Sequence, residues 1–334
     1  MRGNTFGKMF GFTSFGESHG EALGAIVDGV PSNLDFSLED LQAELDRRAP
    51  GRVAGTTPRK EGDKAEVLSG IFEGKTLGTP ISVIIKNTNQ RSKDYDKLKE
   101  DYRPGHADET YIQKYGIRDH RGGGRSSGRE TVARVIAGYF ASLIIPDIKI
   151  KGMITKVGPF EFDPFQVESV DKLDLDVYNF PKTNGDRESE IRKYLLDLRK
   201  NGDSVGGKAS LIIENCPSGL GEPSFDKLKA DLAKAVMSIG AITGFSYGIG
   251  ERFAEISGAE ASSDRANFGG IEGGISNGER IILHCIFKPT STVGEKAKEG
   301  RHDPCIIPRA IPVVESMVKV VLADHYLRQK AYSN

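Results

Sequence analysis

Asp119-His120-Arg121-Gly122-Gly123-Gly124-Arg125-Ser126-Ser127-Gly128-Arg129-Glu130-Thr131 is a stretch whose composition suits the capture of an anion. Three consecutive glycines leave the backbone free to take positive φ and to bring N–H groups close to a ligand. Arg121, Arg125 and Arg129 add guanidinium forks that match phosphate geometry. From Arg129 onward the pattern turns helical, with Val132, Val135, Ile136, Tyr139, Phe140 and Leu143 at spacings of three and four. Ser126 or Ser127 can cap that helix, so the Gly-Arg-Ser cluster falls at its positive end. The segment is not a Walker loop, because no Gly-Lys-Ser/Thr follows. Nor is it a dinucleotide fingerprint, because no apolar strand runs into the glycines.

The rest of the composition describes an ordinary water-facing enzyme. Of 334 residues, 37% are hydrophobic and 28% charged, which fits neither a disordered nor a membrane class. No apolar run approaches the roughly 20 residues of a membrane span, and the N-terminus has no signal-peptide core, so the expected location is the cytoplasm. Lys and Arg number 46 against 47 Asp and Glu, which argues against nucleic acid and leaves the clustered arginines as local sites for small anions. Cys216, Cys285 and Cys305 are odd in number and far apart, as reduced thiols would be. His284 and Cys285 with His302 and Cys305 lack the paired short spacings of structural zinc, and no metal is expected.

Other turns carry chemistry. Gly16-Glu17-Ser18-His19-Gly20 places His19 on a tight turn between apolar runs. Ser37 caps a short helix to Arg48 with Leu38, Leu41 and Leu45 inward, and Arg47, Arg48 and Arg52 near its end form a second candidate anion cluster. Glu66–Phe72 and Ile81–Lys86 read as strands, and Asn87–Tyr102 as a polar, solvated segment. Arg103-Pro104-Gly105-His106-Ala107-Asp108 presents a second histidine beside a carboxylate able to tune it. Further strands are read at 148–157, 206–214 and 280–287. Helices are read around Ile191–Leu198, over Phe225–Ile239 and after Pro308. Gly240-Ala241 offers small residues against which a planar ligand can lie. Gly269–Gly278 is a second glycine-rich loop, and Lys288-Pro289-Thr290-Ser291-Thr292 suits either a phosphate or a capped turn. No repeat or linker divides the chain, so residues 1–334 are expected to form one domain.

Taken together and in order, these motifs resemble the chorismate synthase family over nearly the whole chain. The N-terminal Gly16–Gly20 with Asp28-Gly29-Val30-Pro31, Asp46-Arg47-Arg48 with Pro50-Gly51, Arg103–Asp108, Gly122–Thr131, Lys288–Thr292 and Arg301–Cys305 carry the likeness. The resemblance implies an α+β fold, a single-domain β-α-β sandwich of antiparallel sheets and helices. It implies a homotetramer that eliminates phosphate from 5-enolpyruvylshikimate 3-phosphate to give chorismate, requiring reduced FMN without net redox change. NADPH is the candidate reductant and an external flavin reductase a candidate partner. By the same likeness FMN contacts fall on Arg125, Ser126, Ser127, Gly240, Ala241, Gly273, Lys288, Pro289, Thr290, Ser291, Thr292 and Arg301. His19, His106 and Asp303 match catalytic positions, and Arg48 a position for the substrate phosphate or NADP. Two other classes use similar loops. A flavin-dependent oxidoreductase acting on a small phosphorylated anion would consume reductant at each turnover. A phosphate- or RNA-binding module would have no use for the two histidines.

Overall fold

The computed structural model describes residues 3–51, 62–87, 102, 105–120, 123–182, 185–294, 297 and 303–332. The first half builds an antiparallel sheet from β1 (Thr5–Gly7), β2 (Gly11–Gly16), β3 (Ala22–Asp28), β4 (Ala65–Val67) and, after a small hairpin β5 (Ile71–Phe72) and β6 (Lys75–Thr76), β7 (Ile81–Lys86). Its strand order is β1-β2-β3-β7-β4. Helix α1 (Leu38–Arg48) leaves β3, α2 (Asp108–Tyr115) follows β7, and α3 (Val132–Ile144) closes the half.

The second half repeats the plan. Strands β8 (Lys149–Val157), β9 (Phe160–Glu161), β10 (Gly207–Glu214), β11 (Ile242–Tyr247) and β14 (Ile281–Phe287) form the sheet, with β12 (Ile271–Glu272) and β13 (Ile275–Ser276) as its hairpin. The order β11-β14-β10-β8-β9, taken from its other end, corresponds to the first as β2 with β8, β3 with β10, β7 with β14 and β4 with β11. Helices α4 (Arg187–Lys200), α5 (Leu228–Met237), α6 (Gly258–Ser263) and α7 (Ile307–Tyr332) complete the chain, with α5 and α7 answering α1 and α3. Contacts repeat as well. Thr76 Oγ1 donates to Pro31 O and accepts from Leu34 N, while Ser276 Oγ donates to Pro217 O and accepts from Leu220 N. The sequence alone suggested no repeat; the duplication lies in topology and in such pegs.

Helices α1 and α3 cover the first sheet, α5 and α7 the second, and α3 packs on α7, giving the layered sandwich. Leu41 and Leu45 of α1 are fully buried, and each such burial stabilises by roughly 1.5 to 3 kcal/mol, whereas Leu38, expected inward with them, is 43% exposed at the first helical position. Ser37 accepts from the backbone N–H of Asp40, capping α1. The two central helices cross where Gly138 meets Ser316. A Cβ on Gly138 would stand 2.3 Å from Ser316 Cβ, so only glycine permits this approach. Buried residues from both sheets form one contiguous core.

Two readings change. The expected strand Glu66–Phe72 is two strands, because Gly70 adopts φ 81° and the Ser69 hydroxyl binds Pro80 O, turning the chain into the hairpin. The expected helix Phe225–Ile239 begins only at Leu228, whose N–H bonds Gly274 O across to the second hairpin, leaving Phe225 93% exposed.

Candidate active site

Ser127 accepts from Arg129 N and starts a short 3-10 turn that runs into α3, so the glycine-arginine stretch does deliver a helix N-terminus. Gly123 and Gly124 take φ of 88° and 52°, the left-handed values that such a loop needs. The first turn of α7 arrives at the same place. Arg309 Nη2 lies 3.7 Å from where a Cβ on Gly128 would stand. Two helix N-termini thus converge, each carrying a fractional positive charge of about half an electron.

Around them the predicted residues assemble. Arg48 at the end of α1 is only 2% exposed; its guanidinium is ion-paired with Asp63 and donates to Gly128 O at 3.4 Å. Arg129 reaches the other oxygen of Asp63 at 3.0 Å. Asp303, just before α7, is buried and paired with Arg309 Nε at 2.9 Å, and its carbonyl accepts from Thr290 Oγ1 at 2.9 Å. His106 places Nδ1 3.1 Å from Asp108, a buried carboxylate that also accepts from Arg118 at 3.0 Å. Lys288 Nζ donates to Gly105 O and Ser291 Oγ, both at 3.0 Å, tying the His106 turn to the 288–292 loop.

The His19 turn lies on the other flank. Arg125 directs its guanidinium onto Gly16 O at 3.0 Å and Ser14 Oγ at 2.9 Å, fastening the end of β2. Asn87 at the end of β7 pins the turn from the opposite side through Glu17 O and Gly20 O. Beside His19, the Ser18 hydroxyl is buried without a hydrogen-bond partner among the described residues. A buried polar atom of this kind is expensive unless a ligand meets it.

Ala241 holds a left-handed φ of 71° and its carbonyl accepts from Lys288 N, while a Cβ on Gly240 would meet nothing within 4 Å. That open edge suits a flat ring. The Ser238–Ala241 turn is in turn held by Arg134 of α3, which donates to Ser238 Oγ at 2.7 Å and is paired with Glu130. Ser126 donates to Gly123 O at 2.7 Å within the loop.

Not every predicted residue joins. Gly273 sits in the β12-β13 hairpin, whose next residue, Gly274, packs on Lys227 and accepts from Leu228 N at the N-terminal end of α5, whereas the Ala241–Lys288 contact is at the helix's other end. Ten residues of helix separate the two by about 15 Å. With φ of 60° and 95°, Gly273 and Gly274 form the two-residue turn, just as Glu73 and Gly74 do in the first hairpin. Arg301, like Arg52, Arg103 and Arg121, lies outside the described residues. Asp63, Asn87, Arg118, Arg134 and Arg309 were not singled out as site residues by sequence reasoning. Only Arg309, beside Pro308 and after Arg301-His302-Asp303, carried a local signal.

Among the described residues no group of three or more His, Cys, Asp or Glu side chains could hold a metal ion, and no helix is long and apolar enough to cross a membrane. Two surface depressions, one lined by Met9, Phe225 and Tyr332 and one by Phe245, Tyr247 and Phe253, touch none of the predicted residues.

Comparison with known proteins supplies the family. A family model described as chorismate synthase matches residues 10–327. The chorismate synthase of Flavobacterium psychrophilum is 47% identical over 356 aligned positions, covering 100% of both chains. That of Christiangramia forsetii is 47% identical, covering 99% of each. A solved structure titled "Crystal Structure of Chorismate Synthase" aligns with a TM-score of 0.75 at 30% identity, covering 97% of this chain and 93% of the other.

Proposed function

This chain belongs to the chorismate synthase family, and from that premise we propose how its own residues divide the family's reaction among them. The activity is that of a carbon–oxygen lyase, which eliminates phosphate from 5-enolpyruvylshikimate 3-phosphate to give chorismate. The substrate carries two carboxylates and a phosphate. Such an anion favours the junction where two helix N-termini and the Arg48, Arg129 and Arg309 guanidiniums meet, and this convergence is the observation that carries the reading.

The phosphate is assigned to Arg48 and Arg129, whose charge stabilises it as it departs. His19, on the turn that Arg125 of the glycine-arginine loop fastens at Gly16, supplies a proton to the leaving group. His106 acts through Nε2, because Asp108, itself held by Arg118, takes the hydrogen bond from Nδ1 and fixes the ring's tautomer and direction. Asp303, oriented by Arg309, assists removal of the ring proton. Reduced FMN, when bound, supplies an electron-rich ring to the reaction without being consumed. Ser126, Ser127, the open edge at Gly240 and Ala241, and the Lys288–Thr292 loop are the groups that fit it. By the same family reading the working unit is a cytoplasmic homotetramer whose flavin is reduced by NADPH or by a separate reductase.

The test is anaerobic. With photoreduced FMN and the enolpyruvyl substrate, phosphate release and chorismate absorbance should rise together, many turnovers per flavin and with no reductant consumed. Consumption of one reductant per product would instead indicate an oxidoreductase. His106→Ala should lower kcat by about 10²- to 10⁴-fold; unchanged turnover at saturating reduced FMN removes His106 from the mechanism.

A further inference from the structure

The geometry points to Asp63 as the positioning residue that holds Arg48 and Arg129 side by side for the phosphate of the substrate, an inference that rests on the phosphate assignment above. Asp63 is 1% exposed, and its two carboxylate oxygens are divided between the two guanidiniums, Oδ2 toward Arg48 and Oδ1 toward Arg129 at 3.0 Å. Arg48 comes from the end of α1 and Arg129 from the turn before α3, so the carboxylate joins the C-terminal end of one helix to the N-terminal approach of the other.

Its backbone is held on one side. Gln42 of α1 donates from Nε2 to Asp63 O at 3.0 Å and accepts at Oε1 from Ala65 N at 3.1 Å, fixing the chain that leaves Asp63 on either side of Lys64. A buried carboxylate needs a cation beside it, and two adjacent arginines repel unless an anion lies between them; this arrangement meets both needs. Two guanidiniums against one carboxylate leave these three side chains with one positive unit between them. Their forks are already oriented, and little side-chain entropy is left to lose on binding. A purely structural ion pair would need only one arginine; here Arg48 also donates to Gly128 O, against which Arg309 lies.

The variant to make is Asp63→Asn, which keeps one acceptor and the volume but removes the charge that aligns the second arginine. Four quantities are read on wild type and variant: inorganic phosphate affinity by calorimetry, KM and kcat for the phosphorylated substrate, and the dissociation constant of FMN. The expected result is phosphate binding weakened by about tenfold, KM raised by a similar factor, and FMN affinity within about twofold of wild type. Phosphate affinity that is unchanged, or increased because the pocket has gained a positive charge, overturns the inference. So does an equal loss of FMN and phosphate binding, the mark of a general structural role.

Should Asp63→Asn fail to fold by circular dichroism, Gln42→Leu carries the test, since it frees the backbone of Asp63 and leaves every charge in place. It should weaken phosphate about threefold, and no change overturns the inference. Because phosphate binding is measured without turnover, loss of the lyase assignment in the wild type would be seen separately from loss of the role given to Asp63.

Discussion

His284 lies on β14 with Nδ1 2.9 Å from Ser210 Oγ and Nε2 2.8 Å from Gly248 O, so the neutral ring that donates from Nε2 and accepts at Nδ1 is fully satisfied. Burial lowers its pKa from the usual histidine value, helped by Lys208 and opposed by the Gly248 carbonyl and Asp163. A depressed histidine pKa means that the unfolded chain takes up a proton before the folded one does. The stabilisation is therefore present above about pH 6.5 and lost as pH falls below it, at no more than about 1.4 kcal/mol per pH unit. Urea midpoints measured from pH 7.5 to 5.5 should fall more steeply for wild type than for His284→Gln, and parallel curves would contradict this. At the same scale, sequence shows which cations lie in loops but not where they point. Arg125 and Lys288 read as anion contacts, and their side chains are found on backbone carbonyls at Gly16 and Gly105, holding the turns that carry His19 and His106. Asp63 was invisible because its polar neighbours Glu61, Gly62 and Lys64 look like any surface loop, and only the fold brings it to Arg48 and Arg129.

Among elements, the α3–α7 crossing is the most constrained. Gly138→Ala would place a methyl 2.6 Å from Ser316 Cα, a backbone atom that cannot move away as a flexible side chain would. The expected loss is about 2 to 3 kcal/mol in denaturant unfolding, the upper range for an overpacked interior. Gly258→Ala, with nothing within 4 Å, should stay within about 0.5 kcal/mol and serves as the control. Elements whose periodicity and caps agree were legible from the sequence: α1 with its Ser37 cap, α3 behind Ser127, and strands β7 and β14 with their apolar runs. Those decided by distant partners were not. The start of α5 depends on a bond from Leu228 to Gly274, and the break between β4 and β5 depends on Ser69 meeting Pro80. Helix α2 was missed altogether, since its eight residues bury only Asp108 and show no apolar face.

The whole molecule is two copies of one strand-helix plan that share their central helices, and neither copy has a complete core without the other. If α7 leaves, α3 loses the partner that covers its inner face, so the halves should melt together although the topology repeats. The chain carries its own reporters for this. Cys216, Cys285 and Cys305 all lie in the second half, each no more than 2% exposed, and burial raises their thiols to about 11, about 12 and about 12. Native protein at pH 8 should thus react negligibly with a disulfide reagent. Tyr139 reports the first half: it sits in α3, hydrogen-bonded to Ser37 at the cap of α1 and edge-on to Phe36. In a denaturant series, thiol exposure and loss of the part of the near-ultraviolet signal that Tyr139→Phe removes should trace one midpoint. Thiols that open at a lower concentration than the tyrosine signal would mean that the second half unfolds alone, and that the shared helix pair is an interface between two independent cores.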